Sequence, residues 1–267
     1  MSWKVTFPMY NVSERVRAGY EAWFDTLLAG LRADGLTDAV ELVRDAPLPD
    51  FFRRDDVLLG QTCGYPYMKQ LRAHVQLVAT PAYDFPGCAG TDYASAIVVR
   101  ACSGIMTLED ARGGIAAVND IDSNSGMNAL RHAVAPLARA GRFFDQVRWT
   151  GSHRASMALV REGVADLAAI DCVTLGYLTQ EHPDEVAELT VLHYAAPSPG
   201  LPLVAGLCVP HPLYRQLRRA LLTPGPAAAA QMAALSISRF EAIDNPSYAR
   251  ILALEAQAVE DGYPHLA

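Results

Sequence analysis

The feature that most constrains this chain is a change of period between residues 114 and 137. Residues 114–118 form the apolar run Gly-Ile-Ala-Ala-Val, the length of a buried parallel strand, and Met127, Leu130, Val134 and Leu137 then recur at helical spacing. A buried strand that feeds a polar loop and then a helix places the chain among α/β folds. Ser123, Asn124 and Ser125 fall where the N-cap and first turn belong, and Gly126 lets another group approach the backbone closely. The first amides of a helix have no internal partner and carry the positive end of its dipole. Three small polar side chains beside them make a pocket for a small oxyanion. A plain cap needs only one of the three, so both readings stand.

With 267 residues the chain can form two lobes of ordinary size or one large α/β domain. A net charge of −7 and a pI near 5.5 argue against nucleic acid or an anionic membrane surface as a partner, so any anion site must be local. No apolar run reaches membrane-spanning length, and no membrane insertion is expected. The amino terminus enters a strand-like alternation without the pattern of a secretory signal. The sequence alone therefore points to the cytoplasm, or to the periplasm if a signal has been removed. Five cysteines, at 63, 88, 102, 172 and 208, suit a reducing compartment, although Cys63 and Cys88 can pair if their loops meet. None of the spacings is that of a zinc site, and neither a metal nor a cofactor is expected.

Along the chain, residues 4–7, 39–43, 57–59 and 74–80 read as strands. A capping-box pattern at 11–14 opens a helix with the stripe Val16, Tyr20, Trp23, Phe24, Leu27, Leu28 and Leu31. Tyr10 sits at a strand end, on the edge where open α/β sheets bind ligands. The loop 61–67 carries Tyr65 in a Gly-Tyr-Pro turn that serves equally as a binding loop or as the entry to a helix. Residues 93–100, 144–149, 165–172, 189–195 and 203–208 add further strands. His153 lies on the loop 150–156, ahead of a helix whose buried face is Met157, Val160 and Val164. Asp171, at a strand end, is placed to brace His153, to cap the next helix or to touch a ligand, since a carboxylate buried alone is costly. Helices at 210–222, 227–240 and 246–259 close the chain. Aperiodic segments rich in Pro and Gly at 81–92 and 197–202 read as crossings between lobes. They divide the chain into one lobe of 1–84 with 196–267 and an inserted lobe of 85–195.

Four runs now carry a resemblance. Gln-Thr-Cys-Gly-Tyr-Pro at 61–66, Asp-Ser-Asn-Ser-Gly at 122–126, Gly-Ser-His-Arg-Ala-Ser at 151–156 and Gly-Val-Ala-Asp-Leu-Ala-Ala-Ile-Asp at 163–171 resemble the phosphate/phosphonate-binding proteins of ABC transporters. The resemblance spans residues 5–210. It implies a two-lobe type II periplasmic-binding-protein fold, α/β, with mixed sheets flanked by helices and a hinged cleft that closes on the ligand. It also implies that Ser123, Asn124 and Ser125 grip the oxyanion, that His153 contacts it, and that Tyr65 and Tyr10 approach from the facing lobe. The partners it implies are a small oxyanion and an ABC transporter permease. Two departures stand out: Asn124 replaces a residue that is often Ser or Thr, and 197–202 lacks an acid to pair with a ligand amine. The competing expectation is a cytoplasmic enzyme on the same scaffold, resembling thiamine-precursor and menaquinone-pathway enzymes, in which His153 activates the Cys63 thiol.

Overall fold

Strands and helices alternate as the apolar periods require, and the computed structural model describes residues 2–267. Two compact units form. Unit 1 holds the chain up to Asp84, Ala89–Thr91 and Pro199–Tyr248, and unit 2 holds Phe85–Cys88, Asp92–Ser198 and Ala249–Ala267. Residues 249–267 thus fall in unit 2, where the sequence led us to expect them with the first lobe.

Unit 1 is built on a six-stranded mixed sheet in the order Ile237–Glu241, Val75–Tyr83, Leu203–Gly206, Val57–Gln61, Ser2–Thr6, Ala39–Leu42. The last three strands pair in parallel and the others antiparallel. Helix Glu14–Ala33 buries Val16, Tyr20, Trp23, Phe24, Leu27 and Leu31, as its stripe predicts. Its cap is Ser13 rather than Asn11: Ser13 is extended at φ −149° and accepts from the Val16 amide. Trp23 stacks on Phe240 at 5.5 Å and meets Phe7 edge-on at 5.5 Å.

Phe240 lies on a strand, which corrects the helix expected over 227–240. The helix is Pro226–Ala234, and Ser236 at φ +54° turns the chain into strand Ile237–Glu241. A register shift between Ile237 and Arg239 puts the buried Ile237 and Phe240 three residues apart, a spacing that mimics a helix. Strand Val75–Tyr83 likewise runs on through Pro81, into the segment expected to be a crossing. It pairs with Leu203–Gly206 as far as Ala79 and with Ile237–Glu241 only from Thr80 onward, so the missing Pro81 amide falls where the strand has a partner on one side.

Unit 2 holds a five-stranded sheet in the order Leu189–Tyr194, Ser95–Arg100, Leu167–Asp171, Ile115–Val118, Gln146–Trp149. The last three strands are parallel, and Ser95–Arg100 is antiparallel to both of its neighbours. Every residue of Leu167–Asp171 is buried. Helix His153–Arg161 packs through Met157 and Val160, but it ends there. Gly163 at φ +72° turns the chain and leaves Val164 37% exposed, not in the buried face expected of it. No described cysteine is in a disulfide, and the thiol facing Cys88 belongs to Cys172, not Cys63.

Candidate functional site

The three parallel strands of unit 2 end on one edge of their sheet, and each feeds a helix there. Loops at such carboxyl ends gather ligands, because the helices that follow aim their first amides toward a common place. The first helix opens with a wide turn, Asn124–Asn128, in which the Asn128 amide donates to the Ser123 carbonyl at 3.0 Å. Ser123 Oγ accepts from the Gly126 amide at 2.9 Å. The second opens at Ser152, whose Oγ accepts from the Ala155 amide at 3.1 Å and sets His153 as the first helical residue. The third is capped by Asp171, whose Oδ1 accepts from the amides of Val173 at 2.8 Å and Thr174 at 3.2 Å. The Thr150 and Gly151 amides donate to the carbonyls of Val118 and Asn119, both at 2.9 Å, which lays the first two loops side by side.

Across that junction Ser125 Oγ and His153 Nε2 stand 2.9 Å apart. Burial pushes the imidazole down to about 4, with the nearby Ala169 backbone working the other way. The residue as a whole is half-buried, but its Nδ1 is sealed from solvent and meets no partner in hydrogen-bonding geometry among the described residues. At neutral pH the ring is therefore uncharged, with one donor and one acceptor nitrogen.

Behind this pair runs a buried polar chain whose directions can be deduced. Arg131 can only donate, and its Nη atoms reach the Pro264 carbonyl at 3.0 Å and Asn128 Oδ1 at 2.8 Å, with Glu255 at 3.7 Å. That fixes the Asn128 amide, whose Nδ2 donates to Asn124 Oδ1 at 3.1 Å and to the Ile251 carbonyl at 2.9 Å. Asn124 Nδ2 must then donate to Tyr93 Oη at 3.1 Å and Ser198 Oγ at 2.8 Å. Arg131 therefore sets both carboxamide orientations, the choice that otherwise has to be assigned.

Gly126 is a second fixed point. A Cβ there would stand 1.7 Å from Asn119 Oδ1 and 3.3 Å from His153 Cε1, so the Asn119 carboxamide occupies the place of a side chain. Gly126→Ala is expected to cost about 1–2 kcal/mol, overpacking outweighing the gain in helix propensity. Adding Asn119→Ala should recover that loss in chemical denaturation. A Gly126→Ala variant as stable as the parent would contradict this packing.

The structure thus brings Ser123, Asn124, Ser125, His153 and Asp171 to one edge of unit 2. Tyr10 and Tyr65 belong to unit 1, both buried. The Tyr10 ring meets Tyr83 edge-on at 5.3 Å, and Lys69 Nζ lies 5.6 Å over the Tyr65 ring. Sequence reasoning missed Asn128, Arg131, Tyr93 and Ser198. Asn128 follows Asn124 by four residues, a spacing that could have marked it; nothing local marks the others. Among the described residues no cluster of His, Cys, Asp and Glu could hold a metal, and no helix is long and apolar enough to cross a membrane.

The model of the family described as the periplasmic substrate-binding protein of phosphonate ABC transporters matches residues 5–248. No curated protein matches the sequence. Among solved structures the chain is similar to a binding protein component of an ABC phosphonate transporter from Pseudomonas aeruginosa, at 19% identity over 98% of this chain and 87% of that one, with a TM-score of 0.81. It is similar to PhnD1 from Prochlorococcus marinus in complex with methylphosphonate, at 16% identity over 97% and 98%, TM-score 0.79. It is also similar to a Xanthomonas citri protein bound to ATP, at 18% identity over 98% of both chains, TM-score 0.72. Likeness at these identities shows the fold, which is that of type II periplasmic binding proteins.

Proposed function

This chain belongs to the family of periplasmic substrate-binding proteins of phosphonate ABC transporters, and we propose that it holds a small tetrahedral oxyanion, a phosphonate or phosphate ester, at the helix-start edge of unit 2. It does so without chemistry and hands the ligand to a permease. The observation that carries the reading is the convergence of three helix starts around a neutral Ser125–His153 pair. Such a site attracts an anion through amides and hydroxyls alone, in a protein whose net charge is −7.

The hydrogen bonds already made say how each hydroxyl serves. Ser123 Oγ accepts from the Gly126 amide, so its own proton is the part it offers an anion. When His153 carries its proton on Nε2 and donates it to Ser125 Oγ, the Ser125 proton is turned outward in the same way. Asn124, its amide committed to Tyr93 and Ser198, holds the turn in place. Asp171 spends Oδ1 on the helix cap, and its acceptor role toward the backbone places an amide-rich helix start at the edge. Tyr10 and Tyr65 stay candidate ligand contacts from the sequence resemblance; the proposal rests on unit 2 alone. The enzymatic alternative gains no support, since His153 Nε2 is engaged with a hydroxyl of its own unit and the family is one of carriers.

Ligand-dependent thermal shift and calorimetry with methylphosphonate, inorganic phosphate and sulfate test this. Ser123→Ala combined with Ser125→Ala should weaken the best of the three at least about a hundredfold, at about 1.5–3 kcal/mol for each hydrogen bond to a charged group. A double variant that binds as tightly as the parent removes this loop from the site.

A further inference from the structure

Cys88 and Cys172 face each other with their sulfurs 3.4 Å apart, in a chain whose five cysteines the sequence reading assigned to a reducing compartment. We propose that the two thiols are a redox-responsive pair, oxidised to a disulfide by small-molecule disulfides and reopened by reductants. The separation is a non-bonded contact, and closing it to a bond of about 2.05 Å takes roughly 1.3 Å of movement, within reach of side-chain rotation.

The surroundings prepare that meeting. Cys172 is the first residue of helix Cys172–Glu181, directly after the Asp171 cap, and is 1% exposed. Cys88 is half-buried on Phe85–Cys88, a stretch on which the chain passes from unit 1 to unit 2. That stretch closes on itself in a turn, the Cys88 amide donating to the Phe85 carbonyl at 3.0 Å, and is tied to the strand that follows by the Ala94 amide, which donates to the Gly87 carbonyl at 2.9 Å. Gly87, at φ +93°, has no room for a side chain: a Cβ would stand 2.8 Å from the Tyr194 ring and 3.0 Å from Cys172 Cβ. The close approach that only glycine allows is what brings the next residue, Cys88, against Cys172. A cavity of about 310 Å³, lined by Phe85, Val98, Cys172, Leu175 and Tyr194, lies beside Cys172.

The order of events follows from exposure and charge. The contact with Cys88, burial and the Asp171 carboxylate all push the Cys172 thiol up, so Cys172 stays protonated until its neighbour has reacted. Cys88, the more exposed sulfur, attacks as thiolate on one sulfur of oxidised glutathione. A Cys88–glutathione disulfide forms and one glutathione thiolate leaves. Cys172 then attacks Cys88 Sγ, its proton passing to the departing glutathione sulfur, and the second glutathione leaves as a thiol. Two protein thiols have been oxidised and one glutathione disulfide reduced to two thiols.

The test is incubation of the reduced full chain with oxidised glutathione at pH 8, followed by thiol titration in denaturant and peptide mass mapping. Expected is a linked peptide pair containing Cys88 and Cys172, loss of two titratable thiols beyond any surface adducts, and a melting temperature raised by roughly 5–10 °C that dithiothreitol reverses. Cys172→Ala should stop at the Cys88–glutathione adduct. Cys88→Ser, the milder change at a half-buried position, should show neither the linked peptides nor the rise. Wild-type protein in which Cys88 carries glutathione while Cys172 persists as a thiol would overturn the proposal, as would melting that oxidation leaves unchanged.

Discussion

Replacing Arg131 by alanine lowers the free energy of unfolding by about 3–5 kcal/mol, the cost of breaking a buried charged network from one side. Arg131 is 5% exposed and holds the Pro264 carbonyl, Asn128 Oδ1 and the Glu255 carboxylate. Glu255 keeps some contact with solvent, so its lost partner is the smaller part of the cost. The larger part is Asn128, fully buried, whose Oδ1 loses the donor that Arg131 supplies. Freed from Arg131, the Asn128 carboxamide can flip, and Asn124 would then lose the donor that fixes its own orientation toward Tyr93 and Ser198. The variant should therefore also lose oxyanion affinity, although Arg131 lies behind the helix-start edge. Arg131→Lys, which retains the charge and one reach of donor, should recover part of both. Urea denaturation beside calorimetry decides it: an alanine variant within about 0.5 kcal/mol of the parent would show that the network carries neither stability nor orientation.

The parts of this molecule that could be read from the sequence are those written in local periods. The apolar run at residues 114–118, followed by small polar residues and helical spacing, predicts a strand, a loop and a helix, and the structure has Ile115–Val118 feeding a helix at Asn124. What escaped has its cause outside the local pattern. Strand Ile237–Glu241 looked helical because a bulge spaces its buried residues by three. Residues 249–267 were expected with the first lobe because the ties that place them in unit 2 are long-range ones with no local signal, among them those from Asn128 to Ile251, from Arg131 to Pro264, from Arg250 to Asp92 and from the amides of Phe143 and Phe144 to the Ala267 carbonyl. The candidate site divides in the same way. Ser123, Ser125 and His153 announce themselves as polar residues at helix starts. Arg131 reads as an ordinary helix cation, and Tyr93 and Ser198 sit outside any period, so the polar chain that orients Asn124 appears only once the sheet has brought distant segments together.

Stability falls by about 3 kcal/mol between pH 6.5 and pH 4 through His153 alone, and this is the second large effect the structure dictates. An unfolded imidazole takes up its proton near pH 6.5, whereas the native ring, held neutral mainly by burial, does so only at about 4. Within that window the unfolded state binds more protons than the native one, so lowering the pH favours unfolding. Above it neither state is protonated and below it both are, so the contribution is level at each end and fully present only above pH 6.5. His132 is also pushed down by burial and adds a slope of the same sign, so the informative quantity is a difference. Unfolding free energies of wild type and His153→Gln should diverge as the pH rises from 4 to 6.5 and run parallel above it. Glutamine is the chosen replacement because it can still meet Ser125 Oγ with a neutral donor. Binding should follow a different course, since the proposed role of the ring is to orient the Ser125 proton without charge. Oxyanion affinity of the wild type should then stay level from pH 8 to pH 5, apart from the ligand's own titration. A pH-independent stability difference between the two proteins, or a ring found protonated at pH 6 by NMR, would mean that His153 is not the neutral partner of Ser125 on which the proposed binding site rests.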